Sequence, residues 1–332
     1  MIAAGILTGL AAAFCQSLSY LATRHFVQKR VARPEGGSSR QLLALSHVWM
    51  GIFSLLVIPL VWPAAGIHLL AILWPLLGTT VFYLLGQIGL MIALKHAEPS
   101  RVSPLLGFKI VVLAAMSTVL LQPGIPPEQQ TITPMRWIAV AICVIAAVSL
   151  NYSGVALRRR ALLGILIACI AYSLSDWHIG LLVAAVRESS HLSLAHASTL
   201  AACLCYALCG LIALAFLPWQ GSRRPADWRD AIPFGLAWFL AMLFLFASFA
   251  IVGVVLGNIL QSTRGLMSIF MATLLIRMGH HHIEPVSSRG IFFRRLVAAT
   301  LMFLAVSLYL LRDSSGLRAL WSASAGLFGS PG

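Results

Sequence analysis

Ten long apolar segments run through this chain from end to end. A helix needs about 20 mostly apolar residues to cross the hydrocarbon core of a bilayer. Only 10% of the 332 residues are charged, whereas a soluble domain carries about 25%. The sequence therefore predicts an all-α integral membrane protein whose ten transmembrane helices cover residues 2–23, 41–62, 67–94, 100–121, 134–153, 161–185, 196–217, 232–255, 257–277 and 296–311.

The distribution of Lys and Arg predicts the orientation of these spans. Of the 23 basic residues, seventeen lie in loops that follow odd-numbered spans and only four lie in the other loops and the tails. Cytoplasmic loops carry the excess of basic residues, so we expect a multi-pass protein of the cell inner membrane with both termini outside. The basic residues form short clusters without the aromatic stripe of a nucleic-acid surface, so nucleic acid is not an expected partner.

Short sequence matches indicate an internal repeat. Gly5–Leu7 and Gly164–Leu166 are both Gly-Ile-Leu, and Ala147–Leu150 matches Ala305–Leu308. A repeat of five spans has to insert its two halves in opposite orientations, which is the inverted-repeat arrangement of many secondary transporters. We therefore predict two five-helix repeats and a flexible tail, over residues 1–157, 158–312 and 313–332.

Two basic residues, Lys109 and Arg264, lie inside predicted spans four and nine. A charge at bilayer depth is costly and marks a functional site by default. The sequence has one acid well inside a span, Asp176, and its depth in span six favours Arg264 as its partner. Proton coupling by Asp176 is the alternative. Two cations against one carboxylate indicate a positively charged cavity and an anionic small-molecule substrate. The alternative is that each cation has a structural role only and stabilises the packing of its helices.

Uncharged polar residues in the same spans are candidates for the rest of the site. Tyr83 and Gln87 are four residues apart and share a helix face. Taken singly, each such residue is more often an interhelical hydrogen bond than a ligand contact. The candidates for substrate binding beside Lys109 and Arg264 are Gln16, Tyr83 and Gln87, and further polar residues of the same spans are Ser17, Ser19, Thr79, Thr80, Asn258 and Gln261.

The sequence gives little support to an enzyme or a cofactor-binding protein. It contains no GxSxG, HExxH or phosphate-binding glycine loop. The run His280–His282 cannot direct three side chains to one point from regular structure, and it is expected in a solvated loop. No cofactor or metal is therefore predicted. His178, two residues after Asp176, faces another side of its helix and is expected to be an interfacial or packing residue.

Ten spans in two halves of five, a glycine-led first span and an acid after spans four and nine (Glu128 and Glu284) resemble the EamA-like branch of the drug/metabolite transporter superfamily. Val102-Ser103, followed six residues later by Lys109, is similar to span four of the plastid phosphate-translocator branch. The resemblance implies that Lys109 and Arg264 bind an anion.

These observations together predict a secondary transporter that moves a small organic metabolite, anionic in character, across the inner membrane by alternating access. Two other interpretations stay open. A lipid-carrier flippase of the same fold requires a lateral opening between helices. A non-transporting membrane scaffold requires fully paired cations and a sealed interior.

Overall fold

The computed structural model describes residues 2–31, 39–64, 66–96, 105–120, 133–149, 158–219 and 224–264, together with isolated positions between 267 and 308. Within these residues all regular structure is helical. The helices are α1 (Ile2–Val31), α2 (Ser39–Val61), α3 (Leu69–His96), α4 (Lys109–Val119), α5 (Pro134–Ser149), α6 (Arg159–Ser190), α7 (Leu194–Phe216), α8 (Pro225–Val252) and α9 (Val254–Ser262). Short 3₁₀ turns at Leu106–Phe108 and Leu217–Trp219 precede α4 and follow α7.

Six of the described helices, α1, α2, α3, α6, α7 and α8, are long and apolar enough to cross a membrane. Their outer surfaces carry large apolar side chains that remain exposed. Leu60 and Leu70 are 80% and 88% exposed, and Trp74 is 72% exposed. A soluble protein rarely exposes so much contiguous apolar surface, and lipid contact accounts for it.

The predicted and observed helices differ in ways that bear on the site. The fourth predicted span, 100–121, contains a change from 3₁₀ to α-helix at Lys109. The sixth, predicted as 161–185, extends over Arg159–Ser190. The third is one unbroken helix despite its length. Span 296–311, the end of span 257–277, both acids of the resemblance, the three successive histidines and the tail lie outside the described ranges, so the count of ten spans stays a prediction.

Several helix ends follow directly from local sequence. The Ser193 hydroxyl accepts a hydrogen bond from the His196 backbone N–H at 3.3 Å and thereby caps α7. Pro225 begins α8, where a missing N–H costs nothing, and Asp227 in the first turn complements the positive end of the helix dipole. Gly253 separates α8 from α9 at φ 83° and ψ 162°, a conformation essentially confined to glycine. This break directs the short α9 towards the centre of the molecule.

The helices pack mainly in three long pairs: α3 against α6, α1 against α8, and α2 against α7. Glycines allow the closest approaches. A Cβ on Gly51 of α2 would lie 3.0 Å from the Gly210 Cα of α7. A Cβ on Gly164 of α6 would lie 2.7 Å from the Ala93 nitrogen of α3. Small residues of this kind let helix backbones touch where apolar lipid supplies no hydrophobic driving force.

The α1–α8 pair is held by a comparable contact. Gly5 of α1 lies against the Val252 side chain of α8, and the Ser248 hydroxyl of α8 donates to the Gly5 carbonyl at 2.9 Å. The hydrogen bond ties the two backbones together at a point where a larger residue on α1 would separate them.

Candidate functional site

Lys109 lies at the first residue of α4, directly after the 3₁₀ turn, and is 8% exposed. Its ammonium donates to Asp176 Oδ2 at 3.1 Å and to Gln261 Oε1 at 2.9 Å. The backbone carbonyl of Lys109 accepts from the Ser173 hydroxyl at 3.1 Å. Lys109 thus joins α4 to both α6 and α9 through charge-assisted hydrogen bonds.

Asp176 lies near the middle of α6 and is 6% exposed. Its Oδ2 accepts from Lys109 and, at 3.0 Å, from the Asn258 amide of α9. The ion pair of this carboxylate is therefore made with Lys109, where the sequence favoured Arg264. α6 runs on to Ser190 and places Asp176 at mid-helix, whereas the predicted bounds placed it towards the outer end.

Arg264 follows the end of α9 and is half-buried. Its Nη1 donates to Gln16 Oε1 of α1 at 3.2 Å. The Ser17 hydroxyl, also on α1, donates to the Arg264 backbone carbonyl at 2.7 Å. The described hydrogen bonds of this half-buried cation therefore go to α1, whereas those of the Lys109 ammonium go to α6 and α9.

Both cations line one central cavity, which is partly open. The described residues at its wall include two cations and a single carboxylate, so the wall carries an excess of positive charge. The lining residues are Gln16, Thr79, Tyr83, Leu90, Leu106, Lys109, Tyr172, Ser175, Asp176, Ile179, Cys205, Tyr206, Trp238, Met242, Leu245, Phe246, Gln261 and Arg264.

Most of the residues predicted from the sequence meet at this cavity. Lys109, Arg264, Tyr83, Gln16 and Asp176 all line it. Gln87 is different: it is buried at 4% exposure, one turn after Tyr83 on α3, but it is not among the described lining residues. Gln87 shares a helix face with Tyr83, as the spacing of four residues predicts. Which turn of that face reaches the cavity depends on how the helices pack.

His47 is a buried polar residue that the sequence analysis did not select. Its Nδ1 lies 2.7 Å from the Leu43 carbonyl oxygen, and its Nε2 lies 3.0 Å from the Tyr83 hydroxyl. A carbonyl only accepts, so Nδ1 carries the hydrogen, and Nε2 of the neutral ring accepts from Tyr83. His47 on α2 therefore positions the ring of Tyr83 at the cavity wall. A titratable residue inside an apolar span was the signal that pointed to it.

Aromatic residues of the cavity wall were also missed. Tyr172 lies one turn before Asp176 on α6, while Tyr206 of α7 and Trp238 of α8 are 2% and 8% exposed. Nothing in the sequence distinguishes these rings from ordinary core aromatics, because their place at the cavity depends on how the helices are arranged.

Thr79 and His178 show two different uses of polar side chains on the α3–α6 pair. Thr79 lines the cavity and is 1% exposed, and its buried hydroxyl has no hydrogen-bond partner among the described residues. His178 instead packs between Gly78 and Phe82. The centroids of the His178 and Phe82 rings are 5.3 Å apart. The predicted packing role of His178 is confirmed.

The fold of this chain is similar to that of a protein of known structure. A protein of known crystal structure has a similar fold, with a TM-score of 0.62 and 18% sequence identity, over 92% of this chain and 96% of that one. No protein-family model matches the chain, and no curated protein matches it. At this identity the likeness concerns the fold alone.

Proposed function

We propose that this chain is a secondary transporter of the EamA-like branch of the drug/metabolite superfamily, and that it carries a small organic anion across a bacterial-type inner membrane. The observation that carries the proposal is the central cavity, whose described wall holds Lys109 and Arg264 against a single carboxylate, Asp176. Charge of one sign inside a membrane protein is best satisfied by a substrate of the other sign.

The helix contacts support a two-repeat architecture, which alternating access requires. Gly164 of α6 packs against Ala93 of α3, and Gly5 of α1 packs against Val252 of α8. Adding 159 to residues 5 and 93 gives residues 164 and 252. In each contact, the residue at the first position of one half therefore packs against the residue at the second position of the other half. The same offset relates Gly5–Leu7 to Gly164–Leu166.

The contact between α2 and α7 fits the same repeat. Gly51 and Gly210, which meet between α2 and α7, are also 159 residues apart. A contact between equivalent residues lies on the axis that relates the halves. Rocking of one repeat against the other about such an axis exposes a central site to each side of the membrane in turn.

The Lys109–Asp176 ion pair links substrate binding to a rearrangement of the site. An anion entering the cavity competes with Asp176 for the Lys109 ammonium, while Asn258 and Gln261 remain to hold the released groups. Asp176 then keeps its hydrogen bond from the Asn258 amide.

The cavity also favours a transporter over a non-transporting scaffold, which calls for a sealed interior. Thr79 lines this space, and its buried hydroxyl has no hydrogen-bond partner among the described residues. A buried polar group left unsatisfied costs about 1–3 kcal/mol.

Uptake by the full chain reconstituted in liposomes tests the proposal. We expect accumulation of anionic metabolites, with zwitterionic and cationic ones as comparison sets. Lys109→Ala and Arg264→Ala should each lower uptake by at least tenfold. Arg187→Ala is the matched control, since it removes one positive charge from the exposed end of α6. Unchanged uptake and affinity in both cavity variants would overturn the assignment of the site.

A further inference from the structure

A row of tyrosine rings leads away from Lys109 along the cavity wall. The Lys109 ammonium lies 6.0 Å from the centroid of the Tyr172 ring. Tyr172 and Tyr83 have centroids 6.3 Å apart, and Tyr83 and Tyr206 have centroids 5.6 Å apart in a T-shaped arrangement. All three tyrosines line the cavity, and they come from α6, α3 and α7. Three separate helices therefore contribute adjacent rings to one wall.

Trp238 and Phe246 of α8 add two more rings to the same cavity. The wall of the cavity therefore combines two cations, Lys109 and Arg264, with aromatic rings that lie among aliphatic side chains. A substrate that satisfies both has a negative group at one end and a flat apolar body beyond it. Aromatic rings pair with one another in offset or T-shaped geometry with centroids about 4.5–7 Å apart, which is the spacing already present among the tyrosines.

A cluster of tyrosines can also bind a cation through the faces of its rings. Here the charge of the wall opposes that use, because the described lining residues already carry two cations. The excess is a single positive charge once Asp176 is counted. The wall therefore matches a ligand with one negative charge better than a cation or a zwitterion.

We propose that the substrate class is aromatic monoanions, of which an arylalkyl carboxylate is the simplest member. This inference rests on the proposed transport function and narrows it. The carboxylate is held at Lys109 and Arg264, while the ring packs against Tyr172 and Tyr83. His47 fixes the Tyr83 ring from behind by accepting its hydroxyl hydrogen.

Calorimetric titration of the detergent-solubilised full chain tests the proposal with four matched probes. The probes are 3-phenylpropionate, 3-cyclohexylpropionate, 3-phenylpropylamine and phenylalanine. The two acids differ in whether the ring is aromatic, and the amine and the amino acid replace the negative charge with a positive charge and a zwitterion. An aromatic pair contributes beyond its buried area, so the phenyl acid should bind about three- to tenfold more tightly than the cyclohexyl acid. Equal binding of the two acids would overturn the proposal, as would tighter binding of the amine or of phenylalanine.

Variants locate the effect at the tyrosines. Tyr172→Leu and Tyr83→Leu should remove the preference for the phenyl acid while the cyclohexyl acid binds as before. Tyr83→Phe keeps the ring and should keep the preference, so it serves as the folded counterpart if the leucine variant is unstable. Phe82→Leu is the matched control, because Phe82 packs on His178 and does not line the cavity. A preference that survives in both leucine variants would contradict the assignment.

Failure of this inference and failure of the transport function give different results. If liposomes accumulate aliphatic and aromatic carboxylates equally, transport stands and the aromatic preference falls. If phenylpropionate binds in detergent but no anion crosses the membrane, the site stands as a binding site and transport falls.

Discussion

Replacement of Asp176 by Asn removes the charge that compensates Lys109 while it keeps the size of the side chain. The two charged atoms are 3.1 Å apart, and both side chains are about one-tenth exposed. At an effective dielectric constant of 20 their attraction is about 5 kcal/mol. Breaking a buried pair by removing one partner costs about 3–5 kcal/mol, since the remaining charge stays desolvated.

The lower end of this range applies here, because Lys109 keeps its hydrogen bond to Gln261 and faces a cavity. We expect Asp176→Asn to lower the free energy of unfolding by about 3 kcal/mol. For a chain of this size, that corresponds to a fall in Tm of about 6 °C, at about 2 °C per kcal/mol.

A double-mutant cycle isolates the pair. Lys109→Met alone should also destabilise, because it leaves the Asp176 carboxylate buried without its cation. The double variant Lys109→Met/Asp176→Asn should be more stable than the sum of the single effects by at least about 2 kcal/mol, since no unpaired charge remains.

Thermal unfolding in one detergent provides the measurement, with Glu188→Gln as the control. That substitution also turns an acid into its amide on α6, but at an exposed position, and should change Tm by less than about 1 °C. Additive single effects, or a Tm of Asp176→Asn equal to that of the unmodified chain, would refute the reasoning that these two groups form a buried pair.

Two further perturbations test the packing and the position of the cavity wall. Gly51→Leu should destabilise the protein by about 3 kcal/mol or more, because a Cβ at this position already lies 3.0 Å from the Gly210 backbone; Ile52→Leu is the adjacent control in the same unfolding assay. His47→Phe should cost about 1–3 kcal/mol by leaving the buried Tyr83 hydroxyl without its acceptor, and the loss should largely disappear when Tyr83→Phe is added. Full additivity of the His47 and Tyr83 substitutions would show that their hydrogen bond does not stabilise the fold.

Elements that depend on local composition were predictable from the sequence. The six long apolar helices follow from runs of about 20 apolar residues, because such a run can satisfy its backbone hydrogen bonds only within itself when it lies in lipid. The change to 3₁₀ structure before Lys109 agrees with the Gly107 that precedes it. The helix bounds were less predictable, since they depend on caps and on how far neighbouring helices support each end.

The site residues divide in the same way. Lys109, Arg264 and Asp176 could be selected from the sequence alone, because a charge in a long apolar segment is too costly to be there without a partner or a function. The pairing of these residues could not be predicted from the sequence. Lys109 meets Asp176 across 67 residues and Gln261 across 152, so both contacts depend on how distant helices pack.

The sequence by itself determined that this chain is helical, is apolar enough for a membrane and has three charged residues inside apolar segments. Only the tertiary structure decided that Lys109 pairs with Asp176, that Gln16 contacts Arg264, and that tyrosines from three helices form one wall. The physical reason is the range of the forces involved. Burial of apolar surface and closure of helix hydrogen bonds act over a few residues, whereas a cavity exists only where the packed helices leave space between them.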